Sequence, residues 1–294
     1  MAVSSLRCAP LLGLALLLSA SPLRAQGTDA LCARTALSIP LRPVLAQGGS
    51  EFVAAVAGLS DHERDRAIRS ELLAGNVPGF LRHLMPATLN VRGPSGLPLR
   101  LTLCVLPDYL GVGSDGDYLL VPMGLKTALT VASRFGFTLP TRRIVDLIYR
   151  QASVHLKPEP LPASDEMRSI AYLQRHDALV EEQRAALGAE PGALTAGHKK
   201  DLVLSAQLWG QPGRVAIYGW QRADGAPIQP LSTVHGAAYA DYSHGVRLVS
   251  QIVYLNGKPE SIFDVLADPG LAPLLSDEGP LPRAAELERA AASD

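Results

Sequence analysis

The sequence predicts an α+β protein, in which an N-terminal mixed helix and strand region is followed by a mainly antiparallel β region in the C-terminal half. Helix-like and strand-like segments come in blocks rather than in strict alternation, which favours this class over a doubly wound parallel fold. Asn256-Gly257 adds a strong hairpin signal, because both residues tolerate the positive φ of a type I′ turn. The 294 residues are enough for one large domain or two small ones.

Residues 1–25 have the composition of a cleavable export signal. Arg7 supplies a basic start, Leu11–Ala20 form an apolar run, and Ala25 offers a small residue for cleavage. The apolar run is shorter than the roughly 20 residues that cross a bilayer, and no later stretch is long enough. We therefore expect a secreted or periplasmic protein without a transmembrane anchor after processing.

The two cysteines that remain after processing are Cys32 and Cys104. Cys104 lies in the apolar strand pattern Leu101–Leu106, which predicts a buried or disulfide-bonded side chain rather than a nucleophile. In an oxidising compartment, a bond between the two cysteines would stabilise the fold by roughly 3–4 kcal/mol in the chain-entropy model. Their spacing alone leaves open whether they meet.

The charge pattern bears on the class of partner. The formal net charge is −1, and the basic residues are scattered along the chain. Nucleic-acid binding normally requires a concentrated basic face. We therefore expect no nucleic-acid partner.

Residues 26–156 are predicted to form the mixed helix and strand region. Ser60 and Glu63 make a capping box, which predicts a helix that ends near Gly75. Strand patterns follow, and then two helices, the second of them capped by Thr141. The further predicted segments are a short helix at 78–84, strands at 89–91, 99–106 and 118–121, a hairpin loop at 93–96, and helices at 125–135 and 141–152.

Residues 157–192 are predicted to be a linker followed by helices, because the three prolines between 158 and 162 each restrict the local backbone. Residues 193–280 return to strand patterns, and residues 281–294 are expected to be a flexible tail. The predicted segments are two helices between 164 and 187, and strands at 202–206, 214–220 and 246–255.

Gly111–Gly116 match the G-x-G-x-x-G pattern of dinucleotide-binding loops and follow a predicted strand. That function requires a helix to begin at the loop, so that its N-terminus faces the pyrophosphate. The sequence instead continues as a strand and stops at Pro122, and Asp115 and Asp117 would repel a phosphate. The pattern therefore indicates an ordinary glycine loop.

The candidate site lies between His198 and Arg247, where histidine and aromatic residues are concentrated at predicted strand ends and in loops, the usual location of functional sites. An alternative is that each residue only caps or hydrogen-bonds its own loop. The candidate catalytic residues are His198, Asp201, His235, Asp241, Ser243 and His244, and the candidate substrate-binding residues are Lys200, Trp220, Tyr239 and Arg247.

Two specific chemistries remain open for these residues. In the first, His198, Asp201 and either His235 or His244 bind zinc, although neither HExxH nor HxH is present. In the second, Ser243 is a nucleophile whose base comes from a distant histidine, because adjacent residues of an extended segment point to opposite faces.

The preferred chemistry is less specific and needs no cofactor. His235 or His244 acts as acid or base with Asp201 or Asp241. Lys200 and Arg247 then hold an anionic group of the substrate. We adopt this assignment as the expectation.

The chain resembles a family of exported bacterial proteins to which no activity is assigned. The resemblance is carried by Ala196–Asp201, Val215–Trp220 and Asp241–Leu248, and it extends over most of the mature chain. It implies a grouping and no reaction.

A shorter stretch is similar to the signature of the L,D-transpeptidases, which are mainly β proteins that remodel peptidoglycan through a cysteine thiolate. The similarity is carried by Val234-His235-Gly236 and by Ser243–Leu248, about fifteen residues in all. Val246 occupies the nucleophile position, and one residue is missing before Arg247. The resemblance implies a cell-wall substrate without the thiolate mechanism.

Together these patterns predict a secreted or periplasmic hydrolase that acts on a cell-envelope or extracellular polymer, peptidoglycan or polysaccharide, by His/Asp acid–base chemistry. The alternative is a non-catalytic glycan- or peptidoglycan-binding protein, in which Trp209, Trp220 and Tyr239 stack on sugar rings. A structural envelope protein is a third interpretation.

Overall fold

The computed structural model describes residue 1, residues 30–33 and residues 38–292. Apart from Met1, the residues of the expected export signal lie outside this described part. The chain belongs to the α+β class, with antiparallel pairing in its main sheet. In the described ranges, no helix has the length and hydropathy needed to span a membrane.

The described helices and strands are distributed along the whole chain. The α-helices are α1 (Gly49–Val56), α2 (Asp61–Leu73), α3 (Leu125–Phe135), α4 (Arg142–Gln151), α5 (Ile170–Ala186), α6 (Gln207–Gly210), α7 (Ile262–Ala267), α8 (Ala272–Leu275) and α9 (Ala284–Ala292), with 3₁₀ turns at Gly79–Arg82 and Asp165–Arg168. The strands are β1 (Met85–Arg92), β2 (Pro98–Val105), β3 (Gly111–Ser114), β4 (Asp117–Leu120), β5 (Phe137–Thr138), β6 (Val154–His155), β7 (Thr195–Ala196), β8 (Lys200–Leu202), β9 (Ile217–Gln221), β10 (Pro227–Ser232), β11 (His244–Gly245), β12 (Val249–Ser250), β13 (Ile252–Leu255) and β14 (Lys258–Ser261).

The main sheet is built around β2. On one side β2 pairs with β1 over the full hairpin, and on the other side it pairs with β12 and β13, all antiparallel. β5 extends the sheet beyond β12, and β14 extends it beyond β13. Strands from both halves of the chain therefore share one sheet and one core.

A second sheet, in the order β10-β9-β8-β11, positions the candidate residues. β8 and β11 run parallel, with His244 opposite Lys200 and Gly245 opposite Asp201. A Cβ atom on residue 245 would lie 2.6 Å from the ring of Tyr109, so only glycine allows this approach. The pairing brings two segments that are distant in sequence together.

Apolar side chains form most of the core at the main sheet, and a disulfide ties the N-terminal segment to it. Leu103 and Val105 of β2 and Phe137 of β5 are completely buried. Cys32 and Cys104 are joined by a disulfide, which ties the N-terminal segment to β2. The structure thus confirms the pairing that spacing left open.

Several local signals are confirmed. Ser60 and Glu63 form the capping box at the start of α2, and the Thr141 side chain accepts a hydrogen bond from the Ile144 backbone N–H. Asn256, with a φ of 50°, turns the β13–β14 hairpin. The Gly111–Gly116 loop is a β3–β4 hairpin with no helix after it, as expected.

Other predicted segments differ from the structure. The two helices predicted between 164 and 187 are a 3₁₀ turn and the long helix α5. The strand predicted at 202–206 begins and ends earlier, as β8, and the strand predicted at 246–255 is divided into β12 and β13. These shifts arise because the strands are short and are defined by pairing with distant segments rather than by local composition.

The flexible tail predicted for residues 281–294 is wrong for its described part. α9 packs against α3, Leu281 is completely buried, and Glu288 is 3% exposed. Glu288 accepts a hydrogen bond from the Gln251 amide at 2.8 Å. The Ala- and Glu-rich composition that suggested a tail is that of a helix whose apolar side faces the domain.

Candidate functional site

The predicted site residues separate into two groups in the structure. His198, Asp201 and Arg247 lie in the interior of the protein, each no more than 1% exposed. A second group, which we call the His235 cluster, joins three buried residues to three half-buried ones. The buried residues are Asp241, Ser243 and His244, and the half-buried ones are Lys200, His235 and Tyr239.

The interior group is organised by Asp108, which sequence analysis did not single out. Its carboxylate lies 2.6 Å from the Arg184 guanidinium and 3.2 Å from Nε2 of His198, the latter an ion-pair distance without the alignment of a hydrogen bond. Burial opposes ionisation of Asp108, but the neighbouring positive groups outweigh it and hold its pKa well below the usual range. Burial lowers the pKa of His198, which favours its neutral form. Arg184 is therefore the group that carries a permanent positive charge next to Asp108.

Lys199 lies beside this set as a fully enclosed amine. Its Nζ donates to the Tyr242 backbone carbonyl at 2.7 Å and contacts Nδ1 of His176 at 3.1 Å. Burial lowers the pKa of Lys199 to about 8, and burial raises the pKa of the nearby Asp177 to about 7. Burial thus disfavours the charged forms of both groups, and the fold encloses them away from a substrate.

Asp201 and Arg247 form the other part of the interior group around Tyr109. The Tyr109 hydroxyl donates to Asp201 at 2.8 Å, and the Arg247 guanidinium lies over the Tyr109 ring at 4.5 Å. Arg247 donates to the backbone carbonyls of Leu106 and Thr195. Arg247 therefore holds two chain segments together and does not face an anionic group of a substrate, contrary to expectation.

The carboxylate of Asp241 is the centre of the His235 cluster. It accepts hydrogen bonds from the Ser243 backbone N–H at 2.8 Å, from the Ser243 hydroxyl at 2.6 Å and from the Tyr239 hydroxyl at 3.0 Å. Burial raises its pKa, but the charge of His244 and the bonds from Ser243 outweigh burial, so the pKa lies below the ordinary value. Asp241 is therefore an anion at neutral pH.

Two imidazoles and a phenol ring pack together beside this carboxylate. The His235 ring is stacked on the Tyr239 ring, with 4.1 Å between centroids. The His244 ring lies 5.9 Å from that of His235 and 5.7 Å from that of Tyr239. His235 and Tyr239 are half-buried, whereas His244 is enclosed.

Both imidazoles of the cluster favour the neutral form. Burial lowers the pKa of His235; Asp241 acts in the opposite direction, and the charge of Lys200 adds to the lowering. Burial also lowers the pKa of His244, and no hydrogen bond within the described structure reaches either of its ring nitrogens. A neutral, half-buried His235 has the protonation state of a general base.

The serine and zinc hypotheses gain no support from this geometry. The Ser243 hydroxyl donates to Asp241, and none of the described hydrogen bonds joins it to a histidine. His198 and Asp201, two of the proposed zinc ligands, are engaged elsewhere in the interior. Over the described ranges, no group of three or more metal-ligating side chains is arranged to hold a metal ion.

The two remaining substrate-binding candidates have different surroundings. Lys200 lies with its Nζ 4.9 Å from the centre of the Trp220 ring. Trp220 is 4% exposed and packs against Tyr242, so it offers no ring face to a glycan. Tyr239, by contrast, lines an open groove.

This groove, with a volume of about 550 Å³, was missed by sequence analysis. We call it the α2–α3 groove. It lies between α2, the first turn of α3, Arg168 and the loop residues 237–239. The Arg168 guanidinium lies 5.9 Å from the centre of the Tyr239 ring, so the groove and the His235 cluster share the Tyr239 side chain. The spacing of Arg66 and Arg69 on a predicted helix was the sequence signal for one wall.

Comparisons with known proteins add no assignment: no protein-family model, curated protein or solved structure matches the chain. The two resemblances noted from the sequence therefore stay predictions. At the position where the L,D-transpeptidase signature has its cysteine, Val246 is completely buried.

Proposed function

We propose that the protein is a secreted or periplasmic hydrolase that acts on a cell-envelope or extracellular polymer, with His235 as the general base. The observation that carries this proposal is the convergence of His235, Tyr239 and His244 around the anionic Asp241, at the edge of a groove of ligand size. Pockets of about 300–1,000 Å³ are typical of ligand sites, and the α2–α3 groove falls within this range.

The proposed step begins with a water molecule held between His235 and the polymer. His235 takes one proton from this water as the oxygen attacks the carbonyl carbon, and the imidazolium that forms then gives that proton to the leaving group. Asp241 stabilises the imidazolium, since its charge raises the pKa of His235. Lys200, whose charge acts on both His235 and Asp241, supplies positive charge for the oxyanion that develops.

The protonation states favour an acyl bond over a glycosidic bond. Glycoside hydrolases generally use two carboxyl groups, one of which is protonated and has a raised pKa. The His235 cluster contains one carboxylate, Asp241, and its pKa is lowered. An amide or ester bond of peptidoglycan or of an acylated polysaccharide therefore suits the cluster better than a sugar–sugar linkage.

Product analysis on isolated polymers tests this function. The protein is incubated with purified peptidoglycan and with acylated and non-acylated polysaccharides, and new amino groups, carboxyl groups and reducing ends are measured separately. We expect new carboxyl groups, with amino groups or alcohols as the second product, and no new reducing ends. New reducing ends would contradict the acyl assignment, and the absence of new ends from every polymer would contradict the hydrolase.

The binding-protein alternative is less well supported. It relied on Trp209, Trp220 and Tyr239 as stacking platforms, but Trp220 is buried and Trp209 packs against the hydrophobic core. Tyr239 alone remains at the groove. A protein of this kind would retain the polymer without releasing product, so the same experiment distinguishes the two functions.

A further inference from the structure

The α2–α3 groove has a charge that the whole chain does not have. The formal net charge of the chain is −1, yet Arg66, Arg69, Lys126 and Arg168 all line this groove. We propose that the groove binds a polyanionic segment of the polymer through carboxylate or phosphate groups. This inference deepens the proposed function, because it names the chemical class of substrate and rests on that function for its link to catalysis.

The two carboxylates of the groove are used within the protein. Asp61 pairs with Arg64 at 2.6 Å and with Arg168 at 2.7 Å. Asp65 accepts hydrogen bonds from the Gly124 backbone N–H at 2.8 Å and from the Thr127 hydroxyl at 2.5 Å. They join the walls of the groove, and among the described ion pairs neither carboxylate pairs with Arg66 or Arg69.

Arg66 and Arg69 are the two groove cations on which the proposed binding depends. They are three residues apart on α2 and so project from neighbouring positions of one side. Glu63 lies one turn before Arg66, and its carboxylate accepts hydrogen bonds from the backbone N–H and the hydroxyl of Ser60. Among the ion pairs that the structure describes, none includes Arg66 or Arg69.

The shape of the groove indicates a chain rather than a surface as its ligand. Ala237 and Ala238 line the groove, and their small side chains let a ligand backbone approach closely. Lys126 on the first turn of α3 places positive charge on the wall formed by that helix. A concave site with cations on its walls fits an extended oligomer and excludes a flat membrane.

The shared chemistry of the ligand is an oxyanion. Guanidinium groups bind carboxylate and phosphate with the same forked geometry. The arginines therefore indicate a ligand with oxyanions, which either carboxylates or phosphates can supply. Peptide stems supply carboxylates, and phosphate-linked wall polymers supply phosphates. Separate probes distinguish the two.

The test is a binding measurement by fluorescence anisotropy at low and high salt. The probes are a fluorescein-labelled oligo-glutamate, an oligo(glycerol phosphate) and, as the uncharged match, an oligo-glutamine. We expect one or both anionic probes to bind with an affinity that falls as salt rises, and the oligo-glutamine not to bind. The anionic probe that binds more tightly identifies the source of the oxyanion.

The decisive variant is Arg66→Gln together with Arg69→Gln. It should weaken binding of the anionic probe by about tenfold or more, since both guanidinium groups lose their charge-assisted hydrogen bonds to the ligand. The matched control is Arg92→Gln together with Arg222→Gln, which removes the same charge from exposed positions outside the groove. Circular dichroism of both double variants verifies that they are folded.

Unchanged binding by the groove variant, an equal loss in the control, or binding of oligo-glutamine would overturn the proposal. Binding to phosphatidylglycerol vesicles but to neither oligoanion would do the same. The failure of the proposed function is distinguishable, because it would leave arginine-dependent binding of the oligoanion intact while no polymer is hydrolysed. Hydrolysis without arginine-dependent binding would refute the proposed binding of a polyanion at the groove and would leave the proposed hydrolase standing.

Discussion

Asp108 is a completely buried carboxylate whose strongest partner is the equally buried Arg184. Neither charge reaches water, so each depends on the other for its solvation. The pair joins the segment after β2 to α5, and His198 packs against both Asp108 and Tyr109. At the scale of single residues, the interior group is therefore a network of mutually dependent buried charges that joins distant chain segments.

A substitution at this pair tests its structural role. Asp108→Asn leaves the Arg184 charge without its buried anion, and we expect the free energy of unfolding to fall by about 3–5 kcal/mol. Urea unfolding followed by circular dichroism measures the change. The matched control is Glu181→Gln, which removes the other acidic partner of Arg184.

Glu181 lies 3.3 Å from Nε of Arg184, but its side chain is 38% exposed. An ion pair with such exposure contributes at most about 1 kcal/mol. Equal losses for the two variants would contradict the assignment of Asp108 as the central partner.

At the scale of elements, the site depends on the parallel pairing of β8 with β11, which no local pattern predicts. His235, Tyr239, Asp241 and His244 were expected to share a site because such residues gather at strand ends and in loops, and they do lie together. His198 was expected to join them. Its burial could not be predicted, because its partner Asp108 and the adjacent Arg184 come from distant segments.

The elements that were predicted correctly are those with local chemical causes. A capping box at α2, a side-chain cap at α4 and a hairpin dipeptide between β13 and β14 each act within a few residues. The short strands and α9 are stabilised by contacts that are distant in the chain, so composition alone misassigned them.

The disulfide between Cys32 and Cys104 is the element-scale constraint with the clearest expected effect. The two cysteines are separated by 72 residues, and closing a loop of that length stabilises by about 4 kcal/mol in the chain-entropy model. We expect Cys32→Ala with Cys104→Ala to lower the free energy of unfolding by up to this amount. Urea unfolding of the variant and of the wild type, each with and without reductant, measures it.

Reductant should destabilise the wild type and leave the double variant unchanged. A wild-type midpoint that reductant does not move would show that the bond contributes nothing to stability under those conditions.

At the scale of the whole molecule, the loop that carries Tyr239 is hydrogen-bonded to the start of α3, and this contact places the His235 cluster beside the α2–α3 groove. The groove is positive although the chain is close to neutral, and the cluster holds two neutral imidazoles next to an anion. A buried disulfide is consistent with the proposed export, because such bonds form in oxidising compartments. Binding and chemistry are thus assigned to adjacent residues joined through Tyr239.

The most direct test of His235 as the base is the pH dependence of kcat/KM for polymer hydrolysis by the wild type and by Lys200→Gln. A base must be unprotonated, so the rate should fall as the pH drops through the pKa of His235, which burial places below the ordinary 6.5. The charge of Lys200 also lowers this pKa, so its removal should raise the pKa and move the acidic limb to higher pH by about a few tenths of a pH unit. A flat profile, or a limb that stays in place or moves to lower pH in Lys200→Gln, would contradict the account.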